Sequence, residues 1–161
     1  MANRIDLKNT SRFSRERVAE LVEIARGHLV TGEVALNVKN SGYAFRGRAY
    51  SRVPRISNRY VPGARKVRRL VVAAIGADSK FPLWTQYPGL KTAPRYRMRT
   101  AEEALVALLA HELTHCQQFE TGAKRSEIQA ELVAVAAIRR YRESRGEPVE
   151  DEPEIAVRSE P

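Results

Sequence analysis

The chain has 161 residues, a length that suits a single domain. Its hydrophobic fraction of 43% and charged fraction of 29% are typical of a globular protein and argue against a disordered chain. No apolar stretch approaches the roughly 18 residues of a membrane span, and the single cysteine, Cys116, excludes an intramolecular disulfide framework. We therefore expect a protein without a membrane span in a reducing, cytoplasmic environment.

Charge is unevenly distributed along the chain. The 28 Lys and Arg residues exceed the 19 Asp and Glu residues, which gives a net charge of +9. Residues 34–99 hold 15 bases and one acid, whereas residues 143–161 hold seven acids and two bases. A body this basic favours polyanions such as nucleic acid or acidic lipid surfaces. The alternatives are a solubility device, or a basic face neutralised by the chain's own acidic end.

The first half of the chain predicts one helix and three strands. Residues 1–10 are polar and are expected to be irregular. Apolar residues at helical spacing predict a helix over 14–26, ended by Gly27. Strands are predicted over 34–38, 43–52 and 69–75, and residues 53–66 are predicted to form a loop.

The segment 43–52 alternates with a period of two. One face carries Tyr43, Phe45, Gly47 and Ala49, and the other carries Arg46, Arg48, Tyr50 and Arg52. Successive side chains of a strand point to opposite faces, so this pattern predicts one packed face and one basic face. Weak nucleic-acid binding is therefore assigned to Arg46, Arg48 and Arg52.

The second half predicts two long helices after an irregular region over 81–99. The first is expected over 101–119 and starts at Thr100, with Glu103 three residues later as in a capping box. The second is expected over 125–142, and its apolar middle, 128–138, predicts burial. Residues 1–146 then form one domain, and residues 147–161 form an acidic, disordered tail.

The stretch His111-Glu112-Leu113-Thr114-His115 carries the chemistry. Residues at i and i+4 share one face of a helix, so both imidazoles can reach one metal ion. Glu112 is rotated about 100° from His111, which places its carboxylate beside the metal but not on it. A carboxylate there can accept a proton from an activated water. Gln118, three residues after His115, can also approach this site.

A catalytic zinc usually has three protein ligands, and no histidine follows His115. Glu127 and Glu131 lie four apart on the next predicted helix, and the turn at Thr121-Gly122 lets that helix pack against the first. Glu127 can then supply the third ligand. The alternative is that both acids are solvated near a helix start, but Glu131 lies within an apolar stretch where an unpartnered carboxylate would be costly.

These residues resemble the zincin metallopeptidases of the gluzincin type, in which H-E-x-x-H is followed by E-x-x-x-[D/E]. The resemblance covers residues 100–142. It implies one Zn²⁺ per chain, bound by His111, His115 and Glu127, with Glu112 as general base and Glu131 orienting a ligand histidine. The order of helix, strands and metal helix is also similar to SprT-like minimal protease domains, which act on DNA-bound proteins.

The sequence thus predicts an α+β fold, with a small twisted sheet of about three strands packed on helices. Its predicted function is a zinc-dependent metallopeptidase whose partner is a protein or peptide substrate, bound as an extended strand along 69–75. Tyr87, Tyr96 and Tyr141 are candidates to stabilise an oxyanion. The alternatives are a nucleic-acid-binding protein with a structural or vestigial zinc site, and a hydrolase of non-peptide amides.

Overall fold

Residues Arg4–Asn9 form a strand, where an irregular segment was expected over residues 1–10. The computed structural model describes residues 3–52 and 69–151. Within them lie three helices and six strands: β1 (Arg4–Asn9), α1 (Arg15–Arg26), β2 (Glu33–Ser41), β3 (Arg46–Tyr50), β4 (Arg69–Gly76), β5 (Leu83–Thr85), β6 (Tyr96–Met98), α2 (Ala101–Thr121) and α3 (Glu127–Ser144). The predicted loop over 53–66 lies outside the described residues.

Four strands form a mixed sheet in the order β1-β2-β4-β3. β1, β2 and β4 are parallel, and β3 pairs with β4 in the antiparallel sense. The α+β class is therefore confirmed, with four strands in this sheet where about three were expected. β5 and β6 form a separate antiparallel hairpin within the segment predicted to be irregular.

The helices pack on one face of the sheet. Inward residues of β2 and β4, such as Leu36 and Ile75, share one buried cluster with apolar residues of α1, α2 and α3. β4 is almost entirely buried because it lies between β2 and β3. Burying a large aliphatic side chain of this kind contributes about 1.5–3 kcal/mol, so this shared core fixes α2 against the sheet.

Each helix begins and ends close to its predicted bounds. Ser14, Thr100 and Ser126 cap the three N-termini by accepting a hydrogen bond from a backbone N–H of the first turn. α2 ends at Gly122, whose φ of 70° is a left-handed conformation that glycine adopts readily. None of the helices in the described ranges combines the length and apolar character needed to cross a bilayer.

The expected burial of the middle of α3 is only partly correct. Ala130, Ala134 and Ala137 are buried, whereas Leu132 is 56% exposed. One stripe of α3 therefore packs against α2, and the opposite stripe faces outward.

The first residues of the expected acidic tail are held against the body. Arg99 donates to the carbonyls of Pro148 and Glu150, and Arg142 donates to the carbonyl of Val149 and to Asp151. The structure thus differs from the prediction of disorder as far as Asp151. Residues 152–161 lie outside the described part of the chain.

Candidate metal centre

Three ligand atoms from two helices converge at one point. The Nε2 atoms of His111 and His115, one turn apart on α2, lie 3.1 Å from each other. The Oε2 atom of Glu127, the first residue of α3, lies 3.0 Å from the first nitrogen and 3.2 Å from the second. The sharp turn after Gly122 brings the start of α3 back to the histidines, as the sequence spacing predicted.

The other nitrogen of each histidine is held by a neighbouring side chain. His111 Nδ1 lies 2.7 Å from Glu131 Oε1, and His115 Nδ1 lies 2.8 Å from Gln118 Oε1. Both partners are acceptors, so both Nδ1 atoms carry the proton and both Nε2 atoms are left with a lone pair. Glu131 therefore orients His111.

The orientation of the Gln118 amide is itself fixed by two other groups. Its Nε2 atom donates to the Ser126 carbonyl and to Gln129 Oε1, which leaves Oε1 to face His115. The backbone N–H of Ser126 also donates to this Oε1. Gln118 is 1% exposed and thus links the metal helix to the turn that delivers Glu127.

This donor set fits a metal ion. Two imidazole nitrogens and a carboxylate oxygen around one tetrahedral ion, each at about 2.0–2.2 Å, would be roughly 3.3–3.5 Å apart. The observed separations of 3.0–3.2 Å are close to that geometry. Because all three atoms present lone pairs to one buried point, a cation there would satisfy them together. The residues His111, His115 and Glu127 could therefore hold a metal.

The protonation preferences of the three groups differ. Burial alone would lower the pKa of His111, but the hydrogen bond to Glu131 and nearby carboxylates outweigh it and raise that pKa. Burial lowers the pKa of His115. Burial would raise the pKa of Glu127, but the His115 ring and a hydrogen bond from Arg125 lower it overall. Glu127 is thus held as a carboxylate, with Arg125 on its outer oxygen at 3.0 Å.

Glu112 stands beside the three ligand groups and is not one of them. It is 6% exposed, and burial raises the pKa of its carboxyl group. β3 passes so close that a Cβ atom on Gly47 would lie 2.9 Å from Glu112 Oε1. A buried carboxyl group that lies beside the candidate ligands and is not one of them is placed to accept and return a proton.

A cavity of about 320 Å³ opens beside Glu112 and His111. Its wall is formed largely by apolar or small residues from β6, α2 and the segment at the start of β3, among them Phe45, Gly47, Met98, Ala104, Ala107 and Leu108. An apolar cavity with a few convergent polar groups is the usual form of a small ligand site.

The three tyrosines predicted as candidates to stabilise an oxyanion differ in their distance from the site. The ring of Tyr87 stacks on His111, with centroids 6.0 Å apart and an angle of 3° between the planes. Tyr96 lines the same cavity, and burial together with Glu131 raises its pKa. The hydroxyl of Tyr141 donates to Glu102 at 3.1 Å, at the packing of α3 on the start of α2. Tyr87 and Tyr96 therefore border the site, and Tyr141 does not.

The prediction that an extended substrate pairs with residues 69–75 is wrong. Strand β4, predicted over 69–75, is paired with β2 on one side and β3 on the other, so it has no free edge. Its continuous apolar run is the pattern of a central strand buried on both faces, and this signal was present in the sequence. In the described part of the chain, β3 has a single partner strand, and it lies beside Glu112.

Of the residues assigned to nucleic acid, Arg46 also borders the cavity beside His111 and Glu112, whereas Arg48 does not line it. Arg46 and Arg48 point to the sheet face opposite the helices, where they line a second cavity. Arg52 is exposed beyond the end of β3. The contact of Gly47 with Glu112 escaped sequence reasoning, because alternation indicated a packed face without indicating which helix packs on it.

Comparisons of this chain with protein-family models, with curated proteins and with solved structures found no match. The function must therefore be argued from the geometry of the site.

Proposed function

We propose that this protein is a zinc-dependent metallopeptidase that hydrolyses peptide bonds, with Glu112 as its general base. The observation that carries the proposal is that a buried carboxylate lies next to three candidate metal ligands without being one of them. His111, His115 and Glu127 converge as ligands, and the buried Glu112 stands beside them at a cavity mouth. A site that only stabilised the fold would have no need of Glu112, a further buried carboxylate that is not among the three candidate ligands.

Zn²⁺ suits this donor set because it accepts imidazole and carboxylate ligands in a tetrahedral arrangement and leaves one position open. When bound, it would polarise the scissile carbonyl and lower the pKa of water. Glu131 and Gln118 would keep both imidazoles in the tautomer that presents Nε2.

Glu112 would move the proton in both halves of the reaction. Its carboxylate takes a proton from the attacking water, whose oxygen forms a bond to the carbonyl carbon. The C–N bond then breaks, and Glu112 returns the proton to the departing amine nitrogen. Tyr87, which stacks on His111, is the candidate to donate a hydrogen bond to the developing oxyanion.

The substrate would bind as an extended chain along the edge of β3 that has no partner strand among the described residues. Backbone groups of an edge strand can pair with a peptide, which fixes its register without demanding a particular sequence. β3 runs beside Glu112, so a peptide paired with it would cross the metal centre.

The decisive experiment compares wild-type protein with Glu112→Gln, using an unfolded protein as substrate with and without DNA. We expect the variant to retain metal and fold but to lose cleavage by about 10²–10⁴-fold. Glu16→Gln, an exposed change on α1, is the matched control. Cleavage by Glu112→Gln within a few-fold of wild type would exclude Glu112 as the base.

The alternative of a nucleic-acid-binding protein with a structural zinc makes a different prediction for the same variants. Metal content would still depend on His115, but no metal-dependent cleavage would occur in any form of the protein. A hydrolase of non-peptide amides would depend on Glu112 while leaving proteins uncut.

A further inference from the structure

The sheet face opposite the helices forms a groove of its own. Its volume is about 630 Å³, and its floor is the outward side of β4. We call it the basic groove and define it by its lining residues: Lys8, Thr10, Asn37, Lys39, Arg46, Gly47, Arg48, Tyr50, Leu70, Val72 and Ala74. None of them is a ligand or base of the proposed hydrolytic centre.

Strand pairing places polar residues on both sides of an apolar strip. In the register of the sheet, Ala74 lies between Lys39 of β2 and Arg46 of β3. One row further, Val72 lies between Asn37 and Arg48. Strands are about 4.8 Å apart, so the flanking residues stand roughly 10 Å apart across the strip.

Three cations of this groove, Lys39, Arg46 and Arg48, are not neutralised by acids of the described residues. Lys39, Arg46 and Arg48 are exposed and form no ion pair there. Arg48 instead lies over the ring of Tyr50 at 5.0 Å, and Arg46 over that of Tyr43 at 5.9 Å. By contrast, buried or half-buried arginines of the helical layer, such as Arg17 and Arg142, are paired with carboxylates.

The buried side-chain oxygen of Asn37, in the basic groove, has no hydrogen-bond partner. Asn37 is 7% exposed, and its Oδ1 atom accepts no hydrogen bond. Buried polar atoms are almost always satisfied, so an unpaired buried oxygen is a position where a ligand can supply the missing donor. An asparagine amide both accepts and donates, so it suits a ligand that offers hydrogen-bonding groups as well as negative charge.

We propose that the basic groove binds single-stranded nucleic acid. Phosphates would contact Lys39, Arg46 and Arg48 on the rims, and bases would lie on the apolar strip beside Tyr50 and within reach of Asn37. Bases supply both the donors that Asn37 lacks and a flat surface for stacking. A groove that runs between two cationic rims accommodates a chain, whereas a bilayer surface is flat. The proposed contacts lie on the sheet face opposite the helices, and of these residues only Arg46 also borders the cavity beside Glu112.

The test is fluorescence anisotropy with labelled oligonucleotides of about 12 nucleotides, DNA and RNA, a length within the range that such grooves bind. Wild type should bind, with affinity falling steeply between about 50 and 200 mM salt as counterions are released. The double variant K39E/R48E should bind at least tenfold more weakly and have a salt slope lower by about 2. K124E/R139E, with the same charge change on the helical layer, should bind nearly as well as wild type.

The variant Asn37→Val distinguishes binding that uses a hydrogen bond to Asn37 from binding by electrostatic attraction alone. It should weaken binding severalfold without changing the salt slope, while the thermal stability of the protein stays equal or rises. Circular dichroism and metal content check that each variant is folded. Absence of wild-type binding at low salt, or equal losses in K39E/R48E and K124E/R139E, would overturn the proposal. So would binding only to phosphatidylserine vesicles and not to oligonucleotides.

Discussion

The backbone of β3 touches Glu112 at Gly47. A Cβ atom at that position would lie 2.8 Å from Glu112 Cγ and 2.8 Å from a methyl carbon of Leu108. Real Cβ atoms essentially never approach that closely, so a side chain at position 47 would displace either the strand or Glu112. The absence of a side chain at Gly47 is therefore part of how the proposed base is positioned.

Gly47→Ala should lower kcat for peptide hydrolysis by about 10²-fold, because a displacement near 1 Å of a catalytic group can cost that much. Metal content should remain that of wild type, since the three ligands lie on α2 and α3. Gly42→Ala is the matched control, because nothing lies within 4 Å of a Cβ atom there. Equal kcat values for the two variants would show that the contact has no role in positioning Glu112.

Glu131→Gln should weaken zinc binding by about 10–100-fold, the usual effect of removing the partner that orients a ligand histidine. The physical reason is the 2.7 Å contact with His111 Nδ1, in which a neutral amide is a poorer acceptor than a carboxylate. Competition with a chromophoric chelator measures the affinity. Glu143→Gln, an exposed change on α3, should have the affinity of wild type. An unchanged affinity for Glu131→Gln would remove its assigned role.

Stability should fall in acid partly through Glu102. Arg17 holds the Glu102 carboxylate with two hydrogen bonds of 2.6 and 2.8 Å, and this contact lowers the pKa of Glu102. The unfolded chain therefore binds this proton more readily, so the stabilisation is full above the unfolded pKa and is lost as pH falls through the folded pKa.

Urea unfolding of wild type and Glu102→Gln, at about pH 7 and again below about pH 4, measures this contribution. The variant should be less stable by about 1–3 kcal/mol at the higher pH, and the difference should shrink at the lower pH. The control is Glu23→Gln, whose carboxylate is 64% exposed in its pair with Arg26. A pH-independent difference would contradict the ionic explanation.

Arg142 and Glu103 form a buried ion pair, and removing only one of the two partners should lower the free energy of unfolding substantially. Their side chains are 3% and 1% exposed, and their contacts are 2.8 and 3.0 Å long. Arg142→Met should lower the free energy of unfolding by about 3–5 kcal/mol, because it leaves a buried carboxylate without its cation. Adding Glu103→Leu should restore part of the loss. Arg139→Met, which breaks a half-exposed pair, should cost at most about 1 kcal/mol.

The meeting of the three candidate ligands could be predicted from sequence because helical geometry is local. Spacing alone places His111 and His115 on one face, and a short turn brings Glu127 back to them. The sheet was harder to predict. Its strand order depends on contacts between distant segments, which is why β4 was mistaken for an edge, and β1 was missed although Ile5 and Leu7 alternate with polar residues. The role of Gly47 could not be predicted without knowing which strand lies against Glu112.

β3 serves as a wall of two clefts at once. Gly47 and Ala49 face α2, while Arg46, Arg48 and Tyr50 face the basic groove. Because neighbouring positions along this strand face opposite sides, Arg48 and Tyr50 can be altered without changing the cavity beside Glu112, whereas Arg46 and Gly47 line both surfaces. A protein engineer could thus change what the groove retains by substituting Arg48 or Tyr50 while leaving the proposed hydrolytic centre intact. Natural sequences could diverge in the same way, with one cleft preserved while the other acquires a new ligand.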